Sequence, residues 1–124
     1  GITLAISDSA CDTAYAAIDM ARAAGVAVSF DTNLRLKLWP LARARALIYD
    51  LIGRSDICLP SLDDLQLLTG LSDADAIADH CLRLGARSVA LKLGAAGALL
   101  ADGHERHRIA PHRCRCVGMA TGNA

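Results

Sequence analysis

Residues 29–39, SFDTNLRLKLW, decide how this chain is read. An apolar approach runs into an acid at Asp31, an amide at Asn33 and a guanidinium at Arg35, and Trp39 closes the stretch. Upstream, VAVSF (26–30) is β-branched and apolar and predicts a buried strand, so Asp31 stands at a strand's carboxyl end. Downstream, Pro40 has a fixed φ that suits a first helical turn. Leu41, Ala44, Leu47, Ile48, Leu51 and Ile52 then recur at the spacing of one helix face. A polar loop between a strand and a helix is where open α/β sheets collect ligands.

The same alternation extends in both directions. ITLAIS (2–7) reads as a short buried strand, and residues 9–25 as a helix with Ser9 as its cap and Gly25 as its stop. DICLP (56–60) predicts a third strand. Ser61 opens S-x-x-D, a variant capping box, and its helix halts at Gly70. A further helix from about residue 73 to 84 leads into SVALKLG (88–94), a fourth strand. GALLADGHERHRI (97–109) reads as a hairpin about Asp102-Gly103, a pair that tolerates the positive φ of a tight turn. This order demands crossovers, hence α/β: a mostly parallel sheet with helices on its faces and the hairpin at one edge. No interdomain linker interrupts residues 1–124, which are read as one domain.

Composition narrows the function. With 124 residues, 53% of them hydrophobic, the chain can bury a core. Its 13 basic and 13 acidic residues cancel, which leaves no electrostatic footprint for nucleic acid or an anionic membrane. Aromatic residues make up only 3%, too few for a base-stacking surface. No apolar run approaches the roughly 20 residues of a membrane span. Five cysteines, an odd number without C-x-x-C pairing, argue against a disulfide scaffold and for a reducing, cytoplasmic setting.

Three polar clusters fall at strand ends. Arg35 offers a planar charged fork for a carboxylate or phosphate, with Asn33 able to donate and accept beside it. The structural alternative has Asp31 capping a turn, Arg35 paired with it and Trp39 covering the loop. Ser61 and Asp64 open a helix, where free amides attract anions and a carboxylate can recruit a magnesium-bound water; simple capping also explains both. Lys92, Gly94 and Gly97 put a cation and two permissive backbone positions at the third end, in a stretch that is not a Walker A loop and also suits a plain hairpin entry. His104, His107, His112, Cys114 and Cys116 fit no standard zinc spacing and are read as an exposed basic hairpin with incidental cysteines, so no metal site is assigned.

In order along the chain, SFDTNLRLKLW resembles the D-x-N-x-R…L-W segment of the ribokinase (PfkB) sugar kinases, LPSLDDLQLLTG their N/S-x-x-E/D helix start, and LKLGAAGALL their K-x-G-x-x-G segment. ITLAIS is similar to a strand of the same enzymes. The resemblance is nearest to the 2-keto-3-deoxygluconate kinase branch and covers nearly the whole chain. It implies a three-layer α/β/α fold, incomplete here, and transfer of the ATP γ-phosphate to a sugar-acid hydroxyl with Mg2+. Asn33, Arg35, Ser61, Asp64, Lys92, Gly94, Gly97, Thr121 and Gly122 would border the nucleotide, with Arg35 also reaching the sugar acid. The family's catalytic Gly-Asp has no counterpart in CVGMATGNA (116–124), and the substrate-covering lid would precede Gly1; the catalytic base is therefore unassigned and the chain is read as an interior fragment. A noncatalytic binding or assembly module is the alternative. A sheet cut from its neighbours exposes an apolar edge, which favours a homo-oligomer.

Overall fold

The computed structural model describes residues 2–111. Two helices, α1 (Ile2–Ile6) and α2 (Asp8–Ala23), precede β1 (Ser29–Asp31); α3 (Leu41–Arg54) leads to β2 (Ile57–Leu59). The pair α4 (Leu62–Thr69) and α5 (Ala74–Leu84) leads to β3 (Ser88–Lys92), then β4 (Ala98–Asp102) and β5 (Arg106–Ile109). The strands lie side by side in chain order. Pairs β1–β2 and β2–β3 are parallel, while β3–β4 and β4–β5 are antiparallel, so the sheet is mixed. The crossovers through α3 and through α4–α5 are what the parallel pairs require.

Alternation sorts the strands into two faces. Phe30, Cys58, Val89, Leu91, Leu99 and Ala101 are buried and share the core with Ala44, Ile48, Leu51 and Ile52 of α3 and Ile77, Ala78 and Cys81 of α5. On the other face Ile57, Leu100 and Ile109 remain 43%, 38% and 48% exposed, so the described helices cover one side of the sheet only. The described residues thus build two of the three expected layers, and the open face holds a shallow cavity of about 380 Å³.

Local chemistry explains the elements and several departures from expectation. ITLAIS is helical, not a strand: a short apolar run does not distinguish the two, and a helix satisfies its own backbone where a strand needs a neighbouring ladder. The following helix is capped by Ser7, whose hydroxyl accepts from the Ala10 amide, rather than by Ser9. In VAVSF only Ser29 onward joins the sheet. Pro40 is the N-cap of α3, one residue before the first turn, and its carbonyl accepts from Ala44. Arg45 Nε and Tyr49 Oη both donate to the Leu68 carbonyl, at 2.8 and 3.0 Å, which ties α3 to the end of α4.

The hairpin also turns by a different device. Gly103 does not adopt a positive φ; instead one Asp102 carboxylate oxygen accepts from the His104 and Glu105 amides, at 2.7 and 2.8 Å. Nor is the basic strand simply solvated. Arg106 pairs with Asp75 and Asp79, and Arg108 with Asp75, fastening β5 to α5. No group of three or more His, Cys, Asp or Glu suited to a metal occurs among the described residues; His112, Cys114 and Cys116 lie outside them. No helix among the described residues is long and apolar enough to cross a membrane.

One histidine makes stability depend on pH. His80 of α5 meets Tyr49 edge-on, with ring centroids 5.1 Å apart, and its Nε2 is buried without a partner among the described residues. Burial, and secondarily Arg83, hold its pKa below the ordinary histidine value. The folded chain keeps the ring neutral while the unfolded chain binds a proton below about pH 6.5, so stability is full above that pH and falls as pH drops through the interval down to the folded pKa. Urea midpoints at pH 7.5 and 5.5 check this: the wild type loses more stability on acidification than His80→Phe does.

Candidate functional site

The carboxyl ends of β1, β2 and β3 are tied to one another by side chains from the three expected clusters. β1 delivers residues 32–35. Thr32 is fully buried and its hydroxyl donates to Asp64 Oδ2 at 3.3 Å; the Leu34 amide donates to the same oxygen at 3.0 Å. Between them Asn33 sits at φ 39°, a left-handed conformation that asparagine tolerates better than most side chains. That bend wraps the backbone around the carboxylate.

Asp64 owes its position to α4. The Ser61 hydroxyl accepts from the Asp64 amide at 3.3 Å, as the capping reading expects. The carboxylate, however, serves the neighbouring loop, so Asp64 works as the anchor of the β1 loop. The end of β2 continues into β3's neighbourhood as well: the Lys92 amide donates to the Pro60 carbonyl at 2.8 Å, and Ser61 and Lys92 form a parallel bridge.

Lys92 crosses the end of β2 to place Nζ 3.3 Å from both carboxylate oxygens of Asp31. About half of each side chain is exposed, and such a pair is worth about 0–1 kcal/mol, weak enough for a polyanion to recruit the lysine. The structural alternative pairs Asp31 with Arg35; in the structure Asp31 pairs with Lys92. Arg35 itself is half-buried and makes no side-chain hydrogen bond or ion pair with another described residue. Leu34 and Trp39 are buried in the core cluster, Trp39 with Nε1 unpartnered among the described residues, and they fix the base of the loop.

A small cavity of about 80 Å³ opens between α4 and β3, lined by Ser61, Leu62, Asp63, Lys92, Leu93 and Gly94. It has room for one phosphoryl group, not for a whole nucleotide. Free amides at the start of α4, the lysine and the Gly94 backbone make its lining suited to an anion. Gly94 lies at φ 59° with open space where a side chain would be. Gly97 has another role: a Cβ there would overlap the Ile109 carbonyl oxygen, so the backbone it admits is the protein's own. Thr121 and Gly122 lie outside the described residues. Asp31 reads from the sequence as the acid at the strand's end, whereas Thr32 and Asp63 fall inside the expected clusters without a role of their own.

A larger cavity, about 340 Å³, lies at the opposite ends of the strands among Arg22, Gly25, Gly53, Ser55, Asp56, Gly85 and Arg87. It receives the carboxyl ends of α2, α3 and α5, whose dipoles disfavour a polyphosphate. Size alone does not identify the site.

The sequence profile of the pfkB family carbohydrate kinases matches residues 2–122. The chain belongs to this family. It is 40% identical over 104 residues to the 2-dehydro-3-deoxygluconokinase of Bacillus subtilis (strain 168), covering 83% of this chain and 32% of that protein. The 2-dehydro-3-deoxygluconokinase of Thermoproteus tenax is also 40% identical, over 79% of this chain and 30% of its own length. The chain therefore spans about a third of the curated relatives it matches. Among solved structures, the aminoimidazole riboside kinase of Salmonella enterica, complexed with aminoimidazole riboside and an ATP analog, superposes with a TM-score of 0.85 at 30% identity, over 94% of this chain and 39% of that one. The mixed sheet with helices packed on one face matches part of the ribokinase-like fold of this neighbour, the incomplete α/β architecture that the three motif stretches implied.

Proposed function

We propose that this chain is the nucleotide-side core of an ATP-dependent kinase that transfers the γ-phosphate to a hydroxyl of a sugar acid, 2-keto-3-deoxygluconate, in the cytoplasm. One observation carries the reading: Asp64 and the Lys92–Asp31 pair join three strand ends into a single rim, which bears a phosphoryl-sized pocket and the guanidinium of Arg35, without a side-chain partner among the described residues. The two relatives named for 2-dehydro-3-deoxygluconate support the substrate class.

In this reading Lys92 leaves Asp31 for a phosphate, and the Ser61 hydroxyl and Gly94 backbone border the same group. Arg35, with its planar fork, takes either a phosphate or the sugar-acid carboxylate, and Asn33 sets the bend that presents it. Thr121 and Gly122 belong to the nucleotide side on sequence grounds. Gly97 supports the bend from behind. The residues fit Mg2+ through Asp63, which lines the pocket, with Asp64 one position on; the ion would neutralise phosphate charge. Phosphoryl transfer needs positioning and charge stabilisation, which is what such a rim provides. Self-association, where it occurs, would use the open sheet face.

Isothermal titration with ATP and Mg2+ tests the nucleotide half. Saturable heat is expected, weakened about tenfold or more by Arg35→Ala, the loss of one charge-assisted contact. Absence of heat from the unaltered chain contradicts the reading.

A further inference from the structure

We propose that the helix pair α1–α2 is a strap fastened to α3 by a polar seam, and that it detaches as one unit in strong salt while the sheet and α3–α5 stay folded. α1 and α2 pack on each other, and between them only Leu4 and Cys11 are fully buried. By contrast, α3 buries Ala44, Ile48, Leu51 and Ile52, and α5 buries Ile77, Ala78 and Cys81. Apolar burial therefore holds the strap less firmly than it holds the helices packed on the sheet.

Polar links supply the rest, and they keep a register. Asp8 pairs with Arg43 at 3.0 Å, the Tyr15 hydroxyl donates to Asp50 Oδ2 at 2.7 Å, and Asp19 pairs with Arg54 at 3.1 Å. Each link joins residues 35 apart, so positions 8, 15 and 19 of one helix stripe face positions 43, 50 and 54 of another, and the two helices run parallel. Arg54 is the hub. Its Nε also reaches Asp50 Oδ2 at 3.1 Å, its guanidinium lies 5.3 Å from the centre of the Tyr15 ring, and its carbonyl accepts from Arg22 at 2.6 Å. The seam is open to water: the side chains of Asp8 and Asp19 are 90% and 64% exposed. Exposed pairs of this kind are weak and are screened by salt, which leaves apolar burial intact. Arg43 lies in the first turn of α3, directly after the β1 loop, so the strap also steadies the far side of the loop that Asp64 anchors.

Hydrogen exchange of the full chain, read by mass spectrometry, tests this. Between about 0.1 M and about 1 M sodium chloride the screening length falls from about 10 Å to about 3 Å, and amide protection all along α2 should fall about fivefold relative to that of β3 and α5. Arg54→Met keeps much of the stem's packing but removes the charge that Asp19, Asp50 and Tyr15 share. It should leave α2 poorly protected already in dilute salt, with little further loss in strong salt. Protection of α2 that salt does not change, or an equal loss in α2, β3 and α5, overturns the proposal. The salt series on the unaltered chain decides this even where the variant does not fold.

Discussion

Gly97→Ala is expected to destabilise the protein by about 4 kcal/mol, most of a small domain's margin. Two causes act together. The residue sits at φ 95°, where a side chain is strained, and its Cβ would overlap the Ile109 carbonyl oxygen of β5 and crowd Ala110 and Pro111. Because the overlap is with backbone, no rotamer change relieves it. The strained position closes the turn in which the Leu93 amide donates to the Gly97 carbonyl at 2.8 Å, so the damage reaches the junction of β3 and β4. Gly94→Ala is the matched control. Gly94 also has a positive φ, 59°, but open space around it, and its replacement should cost only about 1 kcal/mol. Urea denaturation of the two variants separates these causes; equal losses would contradict the close approach of β5.

Asp64→Ala should cost about 3 kcal/mol and abolish nucleotide binding at the same time. One carboxylate oxygen receives both the Leu34 amide and the buried Thr32 hydroxyl, and hydrogen bonds to a charged group contribute about 1.5–3 kcal/mol each. Removing it leaves a buried hydroxyl without its acceptor and frees the bend at Asn33. Asp64→Asn keeps an oxygen in place and should lose about half as much. Denaturation and ATP titration on both variants check the coupling. A stable Asp64→Ala protein that still binds ATP normally would show that the loop does not depend on this anchor.

Local chemistry was legible in the sequence where the cause is local. The Ser61 cap, the helix beginning at about residue 73 and the strand-helix alternation from residue 26 onward all arise from residues a few positions apart, and the structure shows them. What escaped depends on distance along the chain. Asp64 reaches a loop 30 residues upstream, Lys92 an acid 61 residues away, and Arg106 an acid 31 residues back. No spacing rule predicts such partners. ITLAIS illustrates the same limit from the other side, since whether a short, mostly apolar run coils or extends is set by what lies next to it in space. The site was legible as three clusters at strand ends; how they are held together was not.

The central claim is that anion chemistry resides on the rim formed by residues 31–35, 61–64 and 92–94, not in the larger cavity at the opposite strand ends. An amide-resolved NMR titration with ATP and Mg2+ tests it most directly. The largest shifts should fall on Leu34, Arg35, Leu62, Asp63, Lys92 and Gly94. Shifts concentrated instead on Gly25, Gly53, Ser55 and Gly85, with that rim silent, would contradict it.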